Sequence, residues 1–170
     1  MLNSKEVAGE AIVLERPEAS DGWAVNQLIA ACPPLDTNST YCNLLQSHYF
    51  SDTSVIARRQ DDVVGFISGF IPPAQQDTLF IWQVAVAGSA RGQGLAGRML
   101  RHLLGRLGTQ VNFMETTITA DNQASWALFE GLARRLDAPV KKSLLFEREQ
   151  HFKGAHDSEW LLRIGPVTDV

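Results

Sequence analysis

Apolar and polar positions recur with two different periods along this chain, and the switches between them outline its elements. Residues 12–16 alternate in twos as a short strand. Ser20 is placed to cap a helix over 21–31, with Trp23, Leu28 and Ile29 turned inward, and Pro33-Pro34 stops it. Asn38 or Ser39 opens a second short helix through Tyr49, carrying Tyr41, Leu44, Leu45 and His48 on related faces. Strands over 54–59 and 63–71 flank the turn Gln60-Asp61-Asp62 and read as a hairpin. Pro72-Pro73 breaks the chain before a strand over 78–86 rich in β-branched and aromatic residues. Leu95, Met99, Leu100, Leu103, Leu104 and Leu107 then recur at helical spacing, and 113–119 is again a strand. Asp121 or Asn122 caps a helix bearing Trp126, Phe129, Leu132 and Leu136, and strands over 140–146 and 159–164 close the chain.

The predicted order is β-α-α-β-β-β-α-β-α-β-β. Hairpins join the early strands and helices join the middle ones, which mixes antiparallel with parallel pairing in one sheet. A doubly wound fold would alternate strand and helix throughout. The class expected is therefore α/β in the α+β sense, a central mixed, mostly antiparallel sheet of six to seven strands flanked by about four helices. With 170 residues, one domain over 1–170 is expected, its core spanning about 12–165.

One segment carries more chemistry than the rest. The strand Phe80-Ile81-Trp82-Gln83-Val84-Ala85-Val86 runs through Ala87-Gly88-Ser89-Ala90 into Arg91-Gly92-Gln93-Gly94-Leu95-Ala96-Gly97, where the amphipathic helix begins. Glycines permit close approach of backbone to a ligand, and the first N–H groups of a helix have no partners of their own. Together with the helix dipole they form an anion site suited to a pyrophosphate, and Arg91 adds a cation. Gly92, Gly94 and Gly97 also satisfy G-x-G-x-x-G, the dinucleotide fingerprint. That fingerprint belongs in a first βαβ unit, whereas here it falls mid-chain after hairpin-linked strands.

Composition narrows the class further. Hydrophobic residues make up 45% and charged residues 20%, which is globular composition. The net charge of −4 argues against a nucleic-acid partner and suits a small cationic one. No apolar run reaches the ~20 residues of a membrane span. The first ten residues carry Lys5, Glu6 and Glu10 without a secretory apolar stretch, so a cytoplasmic location is expected. Cys32 and Cys42 match no metal or redox spacing, and no metal is expected.

The loop Arg91-Gly92-Gln93-Gly94-Leu95-Ala96 resembles the Gln/Arg-x-x-Gly-x-Gly/Ala motif of the GNAT N-acetyltransferases, and Val84 and Val86 resemble the alternating valines that end the preceding strand in that family. Asn122 with Ala124-Ser125-Trp126-Ala127-Leu128-Phe129-Glu130-Gly131 resembles its second coenzyme A segment. The resemblance implies acetyl-CoA as co-substrate, contacted by Val84, Ala85, Val86, Arg91, Gly92, Gln93, Gly94, Leu95, Ala96, Asn122 and Phe129. It also implies direct attack in a ternary complex, with the Val84 N–H receiving the thioester oxygen, and it suggests a homodimer. Phe129 stands where many members carry a Tyr that protonates the leaving thiolate.

Within the family, Cys32-Pro33-Pro34-Leu35-Asp36-Thr37-Asn38-Ser39-Thr40-Tyr41, the 80–86 strand, Phe113-Met114-Glu115-Thr116-Thr117-Ile118-Thr119 and His156-Asp157-Ser158-Glu159 are similar to the diaminobutyrate acetyltransferases of ectoine biosynthesis. This implies acetyl transfer to the 4-amino group of L-2,4-diaminobutyrate. Asp36 and Glu115 are expected to pair with ammonium groups, and Trp82 and Tyr41 to offer a cation–π face. Acetyl transfer needs a neutral amine, whose ammonium has a pKa of ~10.4, so a base is required. Glu115, a carboxylate in an apolar strand, is the first candidate and His156 the second. Other readings remain open: another primary amine (a polyamine, an aminoglycoside or a peptide N-terminus), a coenzyme A-binding module without turnover, or dinucleotide binding.

Overall fold

The computed structural model describes residues 11–168. The N-terminal stretch behind the expected location lies outside them. The strands are β1 (Ile12–Glu15), β2 (Val55–Arg59), β3 (Asp62–Phe70), β4 (Thr78–Val86), β5 (Phe113–Thr119), β6 (Val140–Phe146) and β7 (Glu159–Ile164). The α-helices are α1 (Gly22–Ala30), α2 (Thr40–Tyr49), α3 (Leu95–Leu107) and α4 (Gln123–Arg135). All seven strands form one sheet in the order β1-β2-β3-β4-β5-β7-β6. Only the central pair, β4 with β5, is parallel. The mixed, mostly antiparallel sheet with four helices is the architecture the element order predicts.

Each face of the sheet has its own apolar layer. Leu95, Met99, Leu100, Leu103 and Leu104 of α3 and Phe129, Leu132 and Ala133 of α4 pack on Leu79, Ile81, Met114, Ile118 and Leu162. Gly65 makes this contact possible, because a Cβ there would lie 3.0 Å from Met99 Cε and 3.1 Å from Ala57 Cβ. On the opposite face Val25, Leu28 and Ile29 of α1 cover Ile56, Phe66 and Ala85. Emptying one of these positions, as in Leu100→Ala, costs about 2–5 kcal/mol.

The first two helices depart from expectation. Asp21, rather than Ser20, sits at the start of α1, and its carboxylate accepts the Glu18 N–H at 2.8 Å and pairs with Arg58. Trp23 is 63% exposed, not inward, because the buried stripe of α1 runs through Gly22, Val25, Leu28 and Ile29. In α2 the polarity is inverted. Asn43, Gln46 and Ser47 are buried while Tyr41, Leu44, Leu45 and Tyr49 face outward. The inner face is seated on polar groups: Asn26 Nδ2 donates to Asn43 Oδ1 at 3.0 Å, and Asn43 Nδ2 donates to Gln46 Oε1 at 3.0 Å. Ser39 caps α2 as predicted, accepting the Cys42 N–H at 3.1 Å.

Candidate active site

β4 and β5 pair only from Thr78↔Phe113 to Ile81↔Thr116, and the Thr116 hydroxyl donates to the Ile81 carbonyl at 3.0 Å on the last rung. Beyond it β4 continues against β3 as far as Val86, while β5 continues against β7 to Thr119↔Glu159. The two central strands therefore fork. The cause is one extra residue: Gly69 pairs with Ile81 but Ser68 with Gln83, leaving Trp82 as a bulge that bends β4 away from β5. Past the bulge the ladder alternates. Ala87 N–H donates to Val64 O at 2.8 Å, which makes Ala85 and Gln83 the residues bonded toward β3. The N–H and C=O groups of Val84 and Val86 consequently point into the fork. The Val86 carbonyl accepts from Cys32 Sγ at 3.3 Å and Arg91 Nε at 3.2 Å.

Below the fork lies a cleft of ≈ 340 Å³ lined by Val86, Ala90, Arg91, Gly92, Gly94, Leu95, Ala96 and Gly97 from the loop and by Ala127, Leu128, Gly131 and Arg135 from α4. Gly92 and Gly94 adopt φ of 74° and 69°, and Gly94 is the residue on which α3 starts, with no side chain capping it. The first-turn N–H groups of α3 are thus aimed at the cleft without a capping acceptor, flanked by two arginines. This donor set fits a diphosphate. Gln93 is exposed and its side chain turns back to the Ser89 carbonyl at 3.4 Å.

Beyond the zipped part of the sheet, Glu159 of β7 has Thr117, His156 and Asp36 as its electrostatic neighbours. Trp82 is 48% exposed and meets the Phe70 ring edge-on at 6.3 Å. Glu159, the first residue of β7, lies opposite Thr119 and is partly buried, and its Oε2 has no hydrogen-bond partner among the described residues. Burial raises the pKa of its carboxyl, the neighbouring charge of Asp36 adds to the rise, and the Thr117 hydroxyl and His156 oppose it. Tyr41 stands largely exposed on the first turn of α2.

Three predicted residues have structural partners of their own. Glu115 is buried as expected, yet it is not an unpaired carboxylate: Arg163 Nη1 donates to it at 2.5 Å. The same nitrogen reaches Thr78 Oγ1 at 3.3 Å and Gln75 Oε1 at 3.0 Å, and the guanidinium covers the Phe113 ring at 3.8 Å. Glu115 pairs in register with Phe80, in the zipped part of the sheet before the fork. Phe129 is 2% exposed and belongs to the core rather than the cleft, because α4 turns Phe129, Leu132 and Ala133 inward and leaves Ala127, Leu128 and Gly131 on the cleft wall. Asn122 serves as the N-cap of α4, its side chain accepting the Ser125 N–H at 3.2 Å.

Sequence reasoning missed Glu159, Gln83 and Arg135 as site residues. Glu159 belonged to the His-Asp-Ser-Glu segment already singled out, and only its pairing with β5 shows where its carboxylate goes. Arg135 was legible in principle, since Leu128, Gly131 and Arg135 recur at helical spacing on one face of α4.

Comparison with known proteins decides the family. The acetyltransferase (GNAT) family model matches residues 23–133. The chain belongs to the GNAT acetyltransferases. L-2,4-diaminobutyric acid acetyltransferase of Methylotuvimicrobium alcaliphilum is 53% identical over 160 residues, covering 94% of this chain and 93% of that protein. The enzyme of the same name from Halomonas elongata is 44% identical over 157 residues, covering 91% and 81%. Among solved structures, diaminobutyrate acetyltransferase EctA from Paenibacillus lautus, in complex with its substrate L-2,4-diaminobutyric acid and coenzyme A, superposes on this GNAT fold. Its TM-score is 0.88 at 43% identity, covering 95% of this chain and 99% of that one. The ribosomal-protein-S18-alanine N-acetyltransferase from Escherichia coli shares the fold at 14% identity and a TM-score of 0.70.

Proposed function

We propose that this GNAT enzyme transfers acetyl from acetyl-CoA to the 4-amino group of L-2,4-diaminobutyrate, a step toward ectoine, by direct attack in a ternary complex. The observation that carries the reading is the forked sheet, which sets an anion cleft on one side against a pair of carboxylates, Asp36 and Glu159, on the other. A relative aligned over 94% of the chain carries the diaminobutyrate name, and the solved neighbour holds diaminobutyrate together with coenzyme A.

Acetyl-CoA supplies an acetyl group activated as a thioester. Gly92, Gln93, Gly94, Leu95 and Ala96 hold its diphosphate with their backbone N–H groups, aided by Arg91 and Arg135, and the Val84–Val86 edge receives the pantetheine arm. Asp36 takes one ammonium of the diamine, and the exposed face of Trp82, with Tyr41, shields it by cation–π contact. Glu159 accepts the proton of the reacting amine, its pKa raised by burial toward the range a base needs. His156 supports the ionised carboxylate from the adjoining loop. The Val84 N–H donates to the acetyl carbonyl oxygen as negative charge develops on it. Phe129 supplies no acid; a thiol of pKa ~8.5 leaves as thiolate without one.

The free thiols of Cys32 and Cys42 suit a reducing, cytoplasmic setting. We further propose a homodimer, supported by the edge strand β6, which is exposed along its length and shows Val140, Leu144, Leu145 and Phe146 to solvent beside Trp160.

Incubation with acetyl-CoA and L-2,4-diaminobutyrate is expected to give a product heavier by one acetyl group, with its NMR shift change at the C4 methylene. Free CoA release with none of the product, or acetyl on the 2-amino group, overturns the reading. Binding of acetyl-CoA with no thiol release across a diamine panel favours the non-catalytic module instead.

A further inference from the structure

Gln83 follows the bulged Trp82 directly and turns its side chain toward the α1–α2 loop. Both ends of its amide are used there. Nε2 donates to the Asp36 carbonyl at 2.9 Å, and Oε1 accepts from Asn38 Nδ2 at 3.0 Å. The Asn38 carbonyl is held from the other side by Asn26 Nδ2 of α1 at 2.9 Å, and the next residue, Ser39, caps α2. Residues 36–38 are thereby pinned between the first helix and the strand whose Val84 N–H points into the fork. Among the described residues no further main-chain bond holds this stretch, and the backbone bond before it runs from Leu35 N–H to Cys32 O at 3.0 Å.

The pinned segment carries a charge that would otherwise move away. Asp36 is exposed and lies close enough to Glu159 for their like charges to interact. Repulsion favours a loop that swings Asp36 outward, and loops without internal backbone bonds yield readily to such forces. The Gln83 amide opposes that displacement at the backbone atom of Asp36 itself.

We infer that Gln83 is a positioning residue that fixes the span between the Asp36 and Glu159 carboxylates and so selects the length of the diamine. The inference rests on the acceptor reading above. A diamine whose two nitrogens match the span bridges both carboxylates, and a longer or shorter one loses one of the two contacts. A strand residue bonded to the loop makes this span a fixed property of the sheet rather than of a mobile loop.

The test compares kcat/KM of the full-length enzyme for L-2,4-diaminobutyrate, L-ornithine and L-2,3-diaminopropionate. Gln83→Met keeps the reach of the side chain and removes both hydrogen bonds, while Gln83→Glu keeps an acceptor for Asn38 and loses the donor to Asp36. In Gln83→Met the preference for diaminobutyrate over each homologue is expected to fall about tenfold, as suits two modest hydrogen bonds. The fall should appear in the KM of the amine, with the KM of acetyl-CoA unchanged. Gln83→Glu should lie between the two. Asn38→Ala, which removes only the side-chain arm and leaves β4 untouched, should shift the ratio in the same direction and serves if the strand variants do not fold. An unchanged ratio in folded variants, or equal losses for all three amines and for acetyl-CoA, overturns the role of Gln83 alone. A wild-type enzyme that turns over none of the three amines overturns the acceptor reading and this inference with it.

Discussion

Glu159 and Glu115 are carboxylates of neighbouring strands on the same face of the sheet, and their partners separate their roles. Glu159 has one oxygen buried without a partner among the described residues and a pKa raised by burial. As a base it works only when ionised, so kcat/KM should fall on the acid side at a pH above the ~4.3 of an ordinary glutamate. Glu159→Gln is expected to lower kcat about 10²- to 10⁴-fold and to erase that acid limb. Stability moves the opposite way. A carboxyl whose pKa is higher in the folded than in the unfolded state favours folding only below its unfolded pKa, and that contribution is lost as pH rises through the folded value. At neutral pH Glu159→Gln should therefore melt above the wild type, and a variant both inactive and less stable would argue for a merely structural carboxylate. Glu115, held by Arg163, should behave in reverse. Glu115→Gln is expected to cost about 2–3 kcal/mol, below the range for fully buried pairs because Arg163 is 26% exposed, while kcat stays nearly unchanged. A collapse of kcat without loss of stability would return Glu115 to the chemistry.

At the scale of elements, the mouth of α3 is the most readable part of the chain. The turn from Val86 through Gly92 and Gly94 into a leucine stripe was visible in the order of residues, because only glycine adopts φ near 70° without strain and the helix period begins at once. Gly94→Ala meets no atom of the described residues within 4 Å, so its effect is conformational. It should cost about 1–2 kcal/mol and raise the KM of acetyl-CoA several-fold with the KM of the amine unchanged. A KM change confined to the amine would count against the assigned cleft. The strands from β4 to β7 were equally legible in their bounds, being bracketed by prolines, glycines and caps. The α1–α2 pair was not. Trp23, Leu44 and Leu45 look like core in a periodic reading, yet the helices bury Gly22, Asn43, Gln46 and Ser47 instead. The bulge at Trp82 was invisible for a different reason: an extra residue in a strand changes its pairing and leaves its composition alone. The ion pair of Glu115 was not legible either, because its partner, Arg163, is far away in the chain and only the β5–β7 register brings them together.

The whole molecule is a sheet with one parallel seam near its middle, and one end strand, β6, shows both faces and its edge to solvent. An apolar edge of this kind invites pairing with a second copy. Sedimentation velocity is expected to show twice the chain mass, and Leu144→Lys with Leu145→Glu should return the monomer. A wild-type protein that sediments as a monomer at micromolar concentration would remove the dimer from the description.

The kink at Trp82 places catalysis and durability at odds. Excising that single residue would let β4 run straight, zip onto β5 to its end and give the Val84 amide a carbonyl to bind. The repaired protein would gain several rungs of ladder and close the fork to which the reaction is assigned. Selection for sturdiness alone would thus erase this enzyme, and its activity persists because one strand is kept a residue too long to fit.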